Sequence, residues 1–190
     1  AGSSVLNPVT TLIANLMNQG KTLIEAKDIV KADFAIDASV ELLADPIGKA
    51  TNPGATALEE TNYIALQMVN VKINNTIGQI AAAINGANIT DERTASDIVS
   101  QELAKLMAIG SVDLTDATFI NTLVTNSLTV LGGTIPTTIQ TDIVTVVVNT
   151  NNAITQSINT ATTPLEAFKS LAKVQVAAEE VENELESGVR

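Results

Sequence analysis

The sequence predicts an all-α protein, a bundle of seven or eight helices joined by short connections. Apolar residues recur at intervals of three and four along most of the 190 residues, as they do on the buried face of a helix. Most of these segments follow a residue that caps helix starts, and most end at glycine or another turn-forming residue. A chain of this length can bury a sizeable core, so we expect one helical domain over residues 1–190.

The first two helices have complete start signals. Asn7-Pro8 places a capping side chain directly before a proline, which suits the first helical position, and Gly20 is a suitable stop. Thr22 and Glu25 have the spacing of a capping box, in which two side chains bond reciprocally to the backbone of a helix start. Both helices are therefore expected to begin at these residues.

The next segment is predicted to hold a short third helix, followed by the clearest loop of the chain. Asp37 is expected to cap the helix, which would run through Leu43 and end at Asp45-Pro46. Residues 45–54, which include Asn52-Pro53-Gly54, are expected to form the loop.

Two longer helices are predicted in the middle of the chain. Thr56 is expected to cap the first of them, which ends near Ala83 or Asn85. After a turn, Thr90 or Asp91 opens the second. Apolar residues follow the helical period along both, so each is expected to pack against the core.

Three further helices complete the prediction. Within the second of these, residues 143–148 are rich in Val and Thr, which favour strands. The apolar residues there fall on one side of a helix and do not alternate, so we predict a helix. The expected limits are Thr115 to Gly132-Gly133, Pro136 to about Thr160, and Thr163-Pro164 onwards.

Threonine and asparagine form two stripes on the sixth and seventh predicted helices. Positions three and four apart lie on one helix face, and these residues follow that spacing, opposite the apolar side. Threonine is a mediocre helix former, which indicates that the stripes serve something other than helix stability. The candidate interaction residues are Thr115, Thr118, Thr122, Thr125, Thr129, Thr134, Thr138, Thr141, Thr145, Asn149 and Asn152.

Three interpretations of the stripes remain open. They form a solvated face, or a small polar surface that packs against a neighbouring domain, or a face that binds carbohydrate, an ordered water lattice such as ice, or O-linked sugar. Uncharged hydroxyl and amide groups bind polar partners without the cost of stripping water from ions. Aromatic residues make up only 2% of the chain, which argues against carbohydrate.

The residue types that are missing exclude much enzyme and cofactor chemistry. The chain has no His, Cys or Trp, so it forms no Cys/His zinc site, no His- or Cys-ligated haem and no Cys-bound iron–sulfur cluster. Ser-His-Asp and Cys-His nucleophilic systems are also excluded. Asp113 and Asp116 are close enough in sequence to share a calcium ion, but no calcium-loop motif surrounds them, and capping is the better explanation. We predict a non-enzymatic protein without cofactor or metal.

The charge distribution narrows the choice of partners. The net charge is −11, from 10 Lys and Arg against 21 Asp and Glu. No Lys or Arg occurs between Lys105 and Lys169, which disfavours nucleic acid, because phosphates require clustered cations. No apolar run approaches the roughly 18–20 residues that span a bilayer, so no transmembrane segment is predicted. Residues 179–190 form an acidic end, whose helix is expected to fray near Glu184 if nothing follows it, because like charges oppose the helix dipole.

Several short segments, spread over most of the chain, stand out once the helices are placed. They are Asn7-Pro8-Val9-Thr10-Thr11-Leu12-Ile13, Gly20, Glu25-Ala26, Asp45-Pro46 and Lys173-Val174-Gln175. Together they resemble a helical module of very large secreted bacterial proteins, adhesin-like chains that also carry RTX-type or cadherin- and immunoglobulin-like repeats. The resemblance implies an extracellular or cell-surface setting and a structural or adhesive role, and it transfers no catalytic residue. The ends, Ala1-Gly2-Ser3-Ser4 and Gly188-Val189-Arg190, suggest either a processed mature protein or a part of a larger polypeptide.

The sequence therefore predicts a non-enzymatic structural or interaction module of an extracellular or cell-surface bacterial protein, with an adhesion or spacer role. Its partners would be other domains or copies of a surface protein. The alternative is a carrier that binds an apolar small molecule, a lipid or a pigment, between its helices, because bundles place such sites in their interior. The residues expected to line that site are Ile73, Ile77, Ile80, Val146 and Ile154.

Overall fold

The computed structural model describes residues 7–188, which form eight α-helices and, within that range, no β-strand. The all-α prediction is confirmed. The predicted chain ends at Ala1–Ser4 and Val189–Arg190 lie outside the described residues. The helices are α1 (Pro8–Asn18), α2 (Leu23–Asp33), α3 (Pro46–Ala50), α4 (Ala57–Gly86), α5 (Glu92–Ile109), α6 (Ala117–Leu131), α7 (Thr137–Ser157) and α8 (Pro164–Gly188).

Four helices begin at the predicted capping residues. In each, the cap side chain accepts a hydrogen bond from a backbone N–H of the first turn, which has no partner within the helix. The caps of α1, α2 and α4 form complete capping boxes. The four capping residues are Asn7, Thr22, Thr56 and Asp91.

Helix α4 lies at the centre of the fold. Beyond its first turns it is buried on nearly every side, which is the pattern of a helix surrounded by others. It packs against α1, α3, α5, α7 and α8, and most extensively against α8. One of its side chains also caps a neighbour, because Asn70 Oδ1 accepts a hydrogen bond from the Val9 N–H at 3.2 Å.

The remaining long helices form an arc around α4. Helix α1 packs on α5, α5 on α6, α6 on α7, and α7 on α8. Helix α6 packs mainly against its neighbours α5 and α7. The α6–α7 hairpin thus occupies the outer side of the bundle.

The predicted third helix, from Asp37 through Leu43, is wrong. The Asp37 carboxylate accepts a hydrogen bond from the Ser39 N–H at 2.8 Å, which forms a local turn that competes with a helix. The segment then runs without a helix, and Val40 and Leu42, two positions apart, are both buried. Two consecutive turns, closed by the Val40 N–H on the Asp37 carbonyl and the Ala44 N–H on the Glu41 carbonyl, take the place of the helix.

The predicted loop over residues 45–54 is wrong in its first half, where α3 lies. Asp45 and Pro46 begin a helix, just as Asn7 and Pro8 do, with Asp45 Oδ1 accepting a hydrogen bond from the Ile47 N–H. A Cβ at Gly48 would lie 2.6 Å from the Asp45 carboxylate, so glycine leaves room for the capping side chain in this position. The Asp-Pro pair was assigned to a helix end, whereas it marks a start.

Two further helix limits differ from the prediction. Helix α6 is capped by Asp116, not Thr115, because the Thr115 N–H is bonded to Asp113 Oδ1 at 2.8 Å in a turn of its own. Helix α7 ends at Ser157, before the expected Thr160, and it is helical over residues 143–148 as predicted. Helix α8 is helical from Pro164 to Gly188, and the fraying expected near Glu184 stays a prediction.

Candidate functional site

The Thr and Asn stripes lie on the outside of the α6–α7 hairpin. Of the eleven predicted interaction residues, ten are exposed and Thr115 is half-buried. We call this surface the Thr/Asn face. Its members are Thr115, Thr118, Thr122, Thr125, Thr129, Thr134, Thr138, Thr141, Thr145, Asn149 and Asn152.

The apolar sides of the same two helices are buried in the core. On α6 the buried apolar residues recur at three- and four-residue spacing, as they do on α7. The helices therefore lie in the orientation that their amphipathic pattern predicts. The fully buried members are Ile120, Leu123, Val124, Val147 and Ile154.

Hydroxyl groups on the Thr/Asn face are bonded to their own helices. The Thr122 hydroxyl donates to the carbonyl of Thr118 at 2.9 Å, and the Thr145 hydroxyl donates to the carbonyl of Thr141 at 2.8 Å. Thr125, Thr129 and Thr141 make the same bond four residues back. Because these five hydroxyl donors are used, their threonines present methyl groups and hydroxyl lone pairs in fixed positions.

One glutamine joins the two stripes into a single surface. Gln140 on α7 donates from Nε2 to Asn121 Oδ1 at 2.9 Å and to Thr125 Oγ1 at 2.8 Å, both on α6. Gly132, with φ of 65°, supplies the left-handed residue that ends α6. The prediction placed neither Gln140 nor Asn121 on the surface, because their pairing joins two helices and leaves no periodic signal within one.

The Thr/Asn face is nearly free of charge, although the chain carries −11. The chain has only two charged residues between Thr115 and Thr163, namely Asp116 and Asp142. The Asp116 carboxylate is used as the α6 cap, where it accepts from the Phe119 N–H at 2.7 Å. The free-energy cost of desolvating an uncharged surface of this kind, when another surface covers it, is lower than that of a charged one.

A buried polar cluster, which the prediction missed, lies beneath this hairpin between α4 and α7. Asn151 is fully buried, and its Nδ2 donates to Thr76 Oγ1 at 2.9 Å and to the Leu114 carbonyl at 2.8 Å. Next to it in sequence, Thr150 accepts a bond from Gln79 Nε2 at 3.2 Å. These bonds hold α7 to α4 through polar groups in an otherwise aliphatic core. The helical period that places Asn149 and Asn152 on the stripe places Asn151 on the buried side with Val147 and Ile154, a signal that the prediction did not use.

Two acidic side chains elsewhere lie in partly buried positions. Burial raises the pKa of Asp33 to about 6. Burial, together with the nearby charges of Glu92 and Glu179, raises the pKa of Glu182 to about 7. Within residues 7–188, no three Asp or Glu side chains are grouped closely enough to hold a metal ion. Asp113, the candidate calcium ligand, instead bonds to Thr115, which lowers the pKa of its carboxyl.

The residues expected to line an apolar ligand site do not surround a common space. Ile73, Ile80 and Ile154 are fully buried in the shared core. Ile77 and Val146 line two different surface grooves, the first beside α1 and the second between α7 and α8.

Comparison with known proteins adds no relative to these observations. No protein family, curated protein or solved structure matches this chain. Among the described helices, none is both long enough and apolar enough to cross a bilayer.

Proposed function

We propose that this chain is a non-enzymatic structural and interaction module of an extracellular or cell-surface bacterial protein, in a spacer or adhesion role. The observation that carries the proposal is the Thr/Asn face, an exposed and nearly uncharged surface on a strongly acidic chain. Its partner is a neighbouring domain of the same polypeptide or a second copy of this chain.

The order of the face supports packing against a folded surface. Five of its threonine hydroxyls are bonded to their own helices, and Gln140 links α6 to α7. A partner would therefore cover methyl groups and oxygen acceptors without ordering many side chains, which lowers the entropy cost of association. Two copies of a chain with net charge −11 repel each other. The repulsion is smallest when they meet through the nearly uncharged Thr/Asn face.

Sedimentation of the isolated chain over a wide concentration range tests the proposal. We expect reversible association that the double variant T122K/T141K abolishes, because it brings like charges into the contact. The matched control is T11K/T61K, whose exposed threonines make the same backbone bond on α1 and α4. Association that survives T122K/T141K, or a chain that stays monomeric and shows saturable turnover of a substrate, contradicts the proposal.

The second candidate function, an apolar ligand carrier, has one supporting observation. The groove between α7 and α8 is lined mainly by aliphatic side chains, including Val146. Extraction of the purified chain into organic solvent separates the two functions. A lipid or pigment present at one molecule per chain supports the carrier, whereas an empty extract supports the interaction module.

A further inference from the structure

The seam between α7 and α8 is an open apolar groove with carboxylates at one end. The first part of the groove, about 220 Å³, is lined by aliphatic side chains together with Asp142 and Glu184. A second part, about 260 Å³, continues along the same two helices and shares Val181 with the first. Its lining includes Ala153 and Ala177 and no charged side chain. The aliphatic residues of the first part are Ile139, Ile143, Val146, Val181 and Leu185.

The length of the groove matches a helix. From Ile139 to Ala153 it follows fourteen steps of α7, a length of about 21 Å at the rise of an α-helix. Helices α7 and α8 pack along this seam, and the outer side of two packed helices offers a natural place for a third. An amphipathic helix laid into such a groove uses apolar anchors spaced three, four and seven residues apart.

The carboxylates at one end of the groove favour a partner that is positively charged at that end. Neither Asp142 nor Glu184 takes part in an ion pair formed within residues 7–188. Lys and Arg are absent from α7, and α8 has none between Lys173 and Gly188. A Lys or Arg side chain lying here would cover aliphatic surface with its stem and reach both carboxylates with its charged group. A second copy of the acidic α8, or an anionic membrane, would instead meet like charge.

We propose that this groove binds an amphipathic helix of a partner protein, with apolar anchors along its length and Lys or Arg at the end that meets Asp142 and Glu184. The groove is a second surface, which shares only Asn149 with the Thr/Asn face. This inference therefore does not rest on the proposed function.

Fluorescence anisotropy with a labelled synthetic peptide tests the proposal. The probe is a Leu/Lys amphipathic helix of about five turns, and the comparison peptide has Glu at every Lys position. We expect saturable binding of the Leu/Lys peptide only, weakened by salt. The double variant D142K/E184K should lower its affinity by roughly tenfold or more, through the loss of two interfacial charge pairs.

Control variants distinguish binding of the peptide in the groove from nonspecific electrostatic attraction to an acidic protein. The double variant D28K/D97K makes the same change in net charge at two exposed positions outside the groove and should leave the affinity within about twofold. V146Q tests the apolar lining and should weaken binding without changing the circular dichroism spectrum. T122K, on the Thr/Asn face, should bind like the wild type.

Three outcomes would overturn the proposal. One is equal loss of affinity in D28K/D97K and D142K/E184K. Another is equal binding of the Glu-containing peptide. The third is the absence of saturable binding of the Leu/Lys peptide. Flotation on phosphatidylcholine vesicles, or self-association that V146Q abolishes, would then assign the groove to a membrane or to a second copy.

Discussion

The α4–α8 pair and the α6–α7 pair solve helix packing in opposite ways. Helix α8 approaches α4 closely at two glycines, Gly78 and Gly86, and brings carboxylates into the interface. Helices α6 and α7 instead meet through neutral amide and hydroxyl groups around Gln140. The first pair should therefore respond to added side-chain volume and to pH, whereas the second should respond to neither.

The largest expected loss of stability comes from disrupting the close approach of α4 and α8. A Cβ at Gly86 would lie 2.5 Å from the Glu186 carbonyl oxygen, which is backbone and has little freedom to move. We expect G86A to lower the free energy of unfolding by about 3 kcal/mol, the upper end for an overpacked site. Urea denaturation monitored by circular dichroism measures it. G110A is the control, because a Cβ there meets nothing within 4 Å; equal losses in both variants would show that the close approach is unimportant.

The next effect tests the polar cluster that holds α7 to α4. N151A removes the side chain that bonds to Thr76 and to the Leu114 carbonyl, which leaves a buried carbonyl without its partner. We expect a loss of about 2 kcal/mol. N152A, at the exposed neighbouring position, should change stability by less than about 0.5 kcal/mol. If N151A were as mild as N152A, the cluster would not contribute to the α4–α7 interface.

Of the two helix pairs, we expect only the α4–α8 pair to change in stability with pH. Glu182 lies against Gly78, and its pKa is raised to about 7 by burial and by Glu92 and Glu179. The folded state therefore holds this proton more tightly than the unfolded state, whose ordinary value is 4.5. This contribution makes stability fall as pH rises from about 4.5 to 7, and the full penalty remains above pH 7.

E182Q removes this penalty because glutamine is uncharged. We expect E182Q to be more stable than the wild type above pH 7, by about 1 kcal/mol after allowance for solvent screening, with the difference shrinking towards pH 5. Thermal unfolding as a function of pH measures it. E180Q, at an exposed position on the same helix, should show no comparable pH dependence; if it does, general charge repulsion along α8 accounts for the effect.

The smallest expected change in stability tests whether the Thr/Asn face of the α6–α7 pair contributes to folding. T122A and T145A replace exposed threonines with a better helix former, so each should raise the free energy of unfolding by about 0.5 kcal/mol. Chemical denaturation of the two single variants measures it. A gain in stability shows that the Thr/Asn face is not required for folding, whereas a loss would make it part of the fold itself.

Local signals predicted much of this fold, and contacts between helices account for what was missed. Asn7 was identified as a cap from the proline that follows it, and Thr22 from Glu25 three residues away. The Asp45-Pro46 pair is compatible with either the end or the start of a helix. The hydrogen bond that Asp45 Oδ1 accepts from the Ile47 N–H shows that a helix starts there. Asn151 and Gln140 have roles set by residues on other helices, to which periodicity within one helix gives no access. The same limit explains why the Thr/Asn face was located correctly but its cross-link was not.

The central position of α4 also determines how tension would pass through the molecule. The start of α1 lies beside Gln175 of α8, where both line one groove, and α8 then runs thirteen residues further to Gly188. The start of α1 and the end of α8 are therefore about 20 Å apart along this helix. A pull on residues 7 and 188 would shear α8 along α4, its most extensive neighbour. Helix α6 packs mainly on α5 and α7 rather than on α8, so its part of the Thr/Asn face lies off this path.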